Sequence, residues 1–289
     1  MWVAATLIAA LAQTGRNAAQ AGLTGRIGTL GATGVRFLFG LPFAVLFLAA
    51  VAMVRPIPAL TGTAMAYAAL GALAQVAATA LMLAAMQRRG FAVATALIKT
   101  EPVTVALLGA ALLGEALTVS RLGAIAVATA GVMVLSGTDW RRMGSIPMLL
   151  GIVSGALFGL SAIGFRGGIL ALSGGGFVER ATTILVLSLG MQTLLVGGWL
   201  ALRDRAALRG MLGAWRESLG AGFLGAVASQ FWFIAFALAP AANVRTLALV
   251  ELVFAAALSR RRREGLSRRE IAGMALITGG VGWLLATAA

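Results

Sequence analysis

"ALIKTEPVTVALLGAALLGEAL" (residues 96–117) decides how the chain is read. A helix needs about 20 mostly apolar residues to cross the hydrocarbon of a bilayer. This stretch is long and apolar enough, yet Lys99, Glu101 and Pro102 sit together inside it. The surrounding chain has the same character. Of its 289 residues, 60% are hydrophobic and only 11% charged. Soluble domains carry about a quarter charged residues, and a single soluble core of this length could not hide so much apolar surface. The sequence therefore predicts an all-α integral membrane protein that crosses the bilayer many times. Its 38 glycines suit close helix packing in lipid.

Counting apolar runs outward gives ten spans. The first five lie near 2–22, 29–53, 62–86, 91–113 and 119–137, and the second five near 147–169, 179–202, 218–238, 240–258 and 268–287. The longest loop, "RDRAALRGMLGAWRES" at 203–218, has room for a short surface helix. The first run lacks a basic leader and a clear cleavage site, so it reads as a span. The halves resemble each other. "EPVTVALLGAALLGEALTVSRLGAIAVATAGVMVL" from Glu101 parallels "ELVFAAALSRRRREGLSRREIAGMALITGGVGWLL" from Glu251. Arg16 falls opposite Arg166, and Thr79 opposite Ser229. The reading is one transmembrane domain made of two five-helix repeats, 1–138 and 139–289. An odd helix number inverts the second copy, an arrangement typical of transporters with a midplane site.

Composition also excludes chemistry. Cysteine and histidine are both absent, which removes disulfides, thiol nucleophiles, haem ligation and most zinc sites. The 9 acidic residues are too scattered for a metal cage. No catalytic residue, metal or cofactor is expected. The net charge of +14 comes from arginines in short loops, where they meet anionic lipid headgroups; lipid, not nucleic acid, is the expected partner.

Three segments carry a resemblance. "GATGVRFLFGLPFAVLFL" (31–48), "ALIKTEPVTVALLGAALLGEALT" (96–118) and "GAIAVATAGVMVL" (123–135) resemble the second, fourth and fifth helices of the EamA family of the drug/metabolite transporter superfamily. In the second half, Glu251 is followed by Leu252 where the family has proline, and "SRRRREG" replaces an apolar run. The resemblance implies ten helices, inverted repeats and transport of a small metabolite. Its YddG-type members export aromatic amino acids. It also implies a bacterial-type inner membrane and cytoplasmic termini. The arginine count favours the opposite orientation: odd-numbered loops hold 15 arginines and even-numbered loops 3, so the positive-inside rule places both termini outside.

Charges within spans are costly and mark functional sites. Here they are Arg16, Arg36, Lys99, Glu101, Arg166, Arg245 and Glu251. At about 1.5 Å per residue, the first four lie at a similar depth. Glu101 is expected to pair with Arg36 or Arg16 as a structural or coupling element, with Pro102 bending span four. Lys99 lacks a repeat counterpart, Leu249 standing opposite it. It meets either a substrate carboxylate or a protein carboxylate such as Glu251. Arg245 is a second substrate candidate, with snorkelling to headgroups as the alternative.

Polar and soft residues complete the expected binding set. Span three offers Gln75, Thr79 and Met82, span eight Ser229, Gln230 and Trp232, and span one Gln13 and Asn17. This wall suits an amphipathic small molecule, or plain packing. The expected function is a secondary transporter, an exporter of amino acids or similar metabolites, working by alternating access. Proton coupling through Glu101 or Glu251 and facilitated diffusion both remain open. The alternatives are a carrier of anionic metabolites such as nucleotide sugars, and a membrane-embedded enzyme or lipid-handling scaffold.

Overall fold

The computed structural model describes residues 1–89, 97–137, 145–253 and 267–287. The expected spans 91–113 and 240–258 fall partly outside these residues, and Arg141, Arg142 and "SRRRREG" lie wholly outside. The described residues form helices and no strand: α1 (Trp2–Leu38), α2 (Leu41–Ala52), α3 (Gly62–Arg89), α4 (Glu101–Leu113), α5 (Val119–Ser136), α6 (Ser145–Leu170), α7 (Phe177–Arg203), α8 (Arg205–Gly213), α9 (Trp215–Leu238), α10 (Ala241–Ala248) and α11 (Arg268–Thr287). Seven helical segments among the described residues are long and apolar enough to cross a membrane, and α4 is a shorter apolar helix.

The expected loop after residue 22 is instead helical. Helix α1 runs through it and bends at Gly28, whose φ of 72° and ψ of 168° interrupt the helical path. Only glycine adopts such a φ without a side-chain clash. The segment stays helical because Leu23 and Ile27 are buried in a cluster with Leu200, Ala207 and Met211. The expected span at 29–53 breaks once, at Phe39–Gly40, before α2 begins. The surface helix expected within 203–218 is α8. Gly114 and Gly137, at φ 65° and 63°, close α4 and α5 in the left-handed conformation that helix ends favour.

The chain forms two compact units, and each draws on both halves of the sequence. The first comprises Met1–Val76 and Gly164–Ala239, the second Ala77–Ile163 and Pro240–Ala289. In the first unit, α1 and α9 pack through small residues; a Cβ on Gly222 would come within 2.5 Å of the Phe39 carbonyl oxygen. The first part of α3 buries Ala64, Ala68 and Ala72, and a Cβ on Gly164 would lie 2.6 Å from the Gly71 nitrogen. Such contacts require helices whose backbones nearly touch, the usual basis of association in lipid. In the second unit, α5 and α11 meet the same way: Cβ atoms on Gly131 and Gly280 would fall 2.7 Å from the Ile277 nitrogen and 2.5 Å from the Ala128 nitrogen.

Candidate functional site

Span four is interrupted where the sequence is oddest. Lys99 and Thr100 form a turn, and α4 restarts at Glu101 with Pro102 in its first turn. Proline is tolerated there because its missing N–H would have no helical partner. Hydrogen bonds tighten across the break: Thr100 N–H donates to Leu97 O at 3.2 Å, and Val103 N–H to Thr100 O at 3.2 Å. These are three-residue closures, tighter than the α-helical four. The Thr100 hydroxyl also donates to Leu97 O, at 2.7 Å. Helix α6 comes close beside the break, since Cβ atoms on Gly151 and Gly155 would meet Leu97 and, at 3.1 Å, the Ile98 carbonyl oxygen.

The second half has a matching interruption. Helix α10 ends at Ala248, Leu249 forms a turn, and helix resumes through Glu251. Leu249 N–H donates to Thr246 O at 3.1 Å, and Leu252 N–H to Leu249 O at 3.0 Å. The two breaks therefore agree within one residue of the repeat register that aligns Glu101 with Glu251. No proline or glycine marks the second break.

Four charged side chains of this unit meet across the breaks. Lys99 pairs with Glu251. Arg245 pairs with Glu101, Nε to Oε1 at 3.4 Å, and both are largely withdrawn from solvent, at 13% and 10% exposure. Each half thus contributes a glutamate that is met by a cation from the other half. The group carries two positive and two negative charges. Glu101, expected to pair with Arg36 or Arg16, pairs with Arg245, because α10 and α4 pack together and bring Arg245 to the start of α4. Pro102 is buried beside Glu101.

The first unit holds polar side chains on apolar helices. Trp232 Nε1 donates to Gln13 Oε1 at 3.2 Å. Gln192 Nε2 donates to Gln75 Oε1 at 2.7 Å, and Gln230 Nε2 to Thr182 Oγ1 at 2.8 Å. Arg16 is buried and donates to Asn17 Oδ1 at 2.8 Å. The Arg36 guanidinium lies 4.4 Å from the Phe37 ring centroid. Gly225 leaves room for both arginine stems, since its Cβ would lie 3.3 Å from Arg16 Cδ and 3.7 Å from Arg36 Cβ. Arg166 donates to the carbonyls of Phe236 and Ala239, capping the last turn of α9. Positive groups at a helix C-terminus meet its unsatisfied carbonyls and its dipole.

The expected wall of spans three and eight is divided between the units. Gln75, Ser229, Gln230 and Trp232 belong to the first; Thr79, buried, and Met82, half-buried, belong to the second. Sequence reasoning missed Gln192 and Thr182, which bind two of the candidates and are themselves fully buried. The available signal was a lone glutamine in the apolar run of span seven.

Fold and buried charges together define a multi-pass helical membrane protein. Residues 1–137, a little under half of the chain, match the model of the EamA-like transporter family. No curated protein matches the chain. A solved crystal structure, described only as that of a protein, superposes with a TM-score of 0.68 over 99% of this chain and 95% of its own. At 16% identity it establishes a shared fold alone.

Proposed function

We propose that the chain is a secondary transporter that exports amino acids, aromatic ones among them as in YddG-type members, or related small zwitterions across a bacterial-type inner membrane. In this reading it has ten membrane helices in two inverted five-helix repeats, 1–138 and 139–289, and exposes a central site alternately to either side. The observation that carries the reading is the pair of helix breaks, at Lys99–Thr100 and Leu249. Interrupted membrane helices at corresponding positions of two repeats are the strongest sequence-level pointer to a transporter's substrate site.

Lys99 meets the substrate carboxylate by exchanging it for Glu251. A neutral group of two cations and two carboxylates favours a dipolar ligand over a strongly anionic one. This argues against nucleotide sugars and similar anionic metabolites. Gln13, Asn17, Gln75, Thr79, Met82, Ser229, Gln230 and Trp232 remain the candidate polar and soft contacts of this reading, and Arg16, Arg36 and Pro102 keep structural roles. The reading includes no catalytic step, metal or cofactor, in keeping with a transporter family.

The test is uptake into liposomes that contain the purified protein, with aromatic, aliphatic and hydroxy amino acids and one nucleotide sugar offered in parallel. Uptake of at least one amino acid is expected, with a loss of tenfold or more in Lys99→Ala, the order expected for losing a charge-assisted contact. Uptake of the nucleotide sugar alone would replace the reading with the anionic carrier. Full rates in Lys99→Ala would remove the role given to that residue.

A further inference from the structure

Helix α8 is short and strongly two-faced. Ala207 and Met211 are buried on one side, while Arg205, Arg209 and Leu212 are exposed on the other. It is joined to α7 through Asp204 alone and to α9 through Ala214 alone. Both neighbours are long and apolar enough to span a membrane. A helix tied this tightly to two span ends on one side lies in the headgroup layer.

The surrounding residues fit that layer. Arg203 and Arg216 are exposed beside Arg205 and Arg209. Leu202, Leu212 and Trp215 are exposed at 79%, 57% and 50%, and the Arg216 guanidinium stands 5.3 Å from the Trp215 ring centroid. Tryptophan and arginine together mark membrane interfaces. The neighbouring acids are already engaged. Asp204 Oδ1 accepts from Ala207 N–H at 3.0 Å, and Glu217 Oε1 accepts from Arg26 at 2.6 Å. Among the described residues, Arg205 and Arg209 donate through Nε to main-chain carbonyls of their own stretch, Ala201 O at 2.8 Å and Arg205 O at 3.3 Å, and their outer nitrogens have no carboxylate partner.

The buried side of α8 lies against α1 on both sides of its bend. A Cβ on Gly210 would lie 3.1 Å from Ile27 Cγ2, before Gly28. Cβ atoms on Gly31 and Gly34, after it, would lie 3.6 Å from Ala207 Cβ and 3.4 Å from Met211 Cε.

We propose that α8, with its own Arg205 and Arg209 and the flanking Arg203 and Arg216, binds anionic phospholipid, and that the bound headgroups hold α8 against the bend of α1. The ligand chemistry is a phosphodiester with a net negative charge. It enters guanidinium forks that suit phosphate oxygens bidentately, while Trp215 and Leu212 sit among the first acyl carbons. This inference is independent of the transported substrate.

The experiment uses the full-length protein in neutral detergent, with phosphatidylglycerol or phosphatidylcholine titrated in. Retained lipid is read by native mass spectrometry and stability by thermal melting. Glycerol phosphate and a poly-glutamate peptide serve as soluble competitors. Phosphatidylglycerol is expected to be retained and to raise the melting temperature, with phosphatidylcholine doing neither. Arg205→Gln combined with Arg209→Gln should weaken phosphatidylglycerol retention about tenfold, the effect of removing two interfacial charges, and leave melting without lipid unchanged. If that variant does not fold, Arg203→Gln with Arg216→Gln carries the same expectation. Equal retention of both lipids, or unchanged retention in the folded variant, would overturn the inference. So would displacement of the lipid by glycerol phosphate at equal concentration, which assigns a free-phosphate site, or preferential capture of the poly-glutamate peptide, which assigns a protein partner.

Discussion

The two units solve the same problem, cations within apolar helices, in different ways. In the first, Arg166 rests on the carbonyls of Phe236 and Ala239. In the second, Lys99 and Arg245 rest on Glu251 and Glu101. A carbonyl at a helix end cannot leave without the helix, so Arg166 is fixed by architecture. A carboxylate on a side chain can rotate away and be replaced by another carboxylate. The difference separates a cation that builds the fold from cations that a ligand could engage.

This contrast can be broken by substitution. The largest effect on stability is expected from Glu251→Gln, which leaves the Lys99 ammonium without its carboxylate. Removing one partner of a buried pair costs about 3–5 kcal/mol, reduced here because both side chains keep some exposure, at 19% and 17%. Thermal melting in detergent should drop sharply, and Lys99→Met combined with Glu251→Met should recover most of the loss. A double variant no better than the single would mean that the two side chains act independently. Arg166→Gln comes next: two main-chain carbonyls lose a charged donor, at about 1–3 kcal/mol. Its signature should be early exchange of amide hydrogens in the last turn of α9, and unchanged protection there would contradict the capping role.

Smaller effects sharpen the comparison. Gln75→Leu and Gln192→Leu should each cost about 0.6–1.7 kcal/mol, the range for hydrogen bonds between membrane helices. A double-mutant cycle should return a coupling of that order; strict additivity would mean that the amides do not support each other. The smallest effect belongs to Arg26 and Glu217, an ion pair in which both side chains are more than half exposed. Exposed pairs contribute little, so Glu217→Gln should leave the melting curve where it is, while a clear shift would reveal a burial that lipid provides.

Much of the fold was legible because apolar run length is a direct consequence of bilayer thickness. Runs such as 62–86, 179–202 and 268–287 fall within a few residues of α3, α7 and α11. The break in span four could be read from Pro102, which sits most readily in the first turn of a helix. Its counterpart at Leu249 could not, because none of leucine, valine and glutamate is a helix breaker. There the tightening depends on how the two spans pack, which local propensity does not encode. For the same reason the partner of Glu101 was missed: depth along a helix can be estimated by counting, whereas the neighbour a side chain faces depends on tertiary packing. The helix through Gly22–Gly28 was hidden by glycine and arginine, which suggest a loop until the burial of Leu23 and Ile27 beneath α8 is known. Gln192 stood alone in an apolar run, and its match with Gln75 needed the structure.

The division of the chain into interlaced segments has a consequence for synthesis. The first unit needs Gly164–Ala239 to complete it, and the second needs everything from Pro240 onward. While the ribosome is still within the first half, the new helices can reach the bilayer but cannot close either unit. The nascent chain must wait in lipid, with the small-residue faces of α1 and α5 uncovered, until α9 and then α11 emerge. Translation order thereby sets assembly order: the first unit can close while the residues after Pro240 are still being made, and the charged pairs of the second form only once Arg245 and Glu251 have followed.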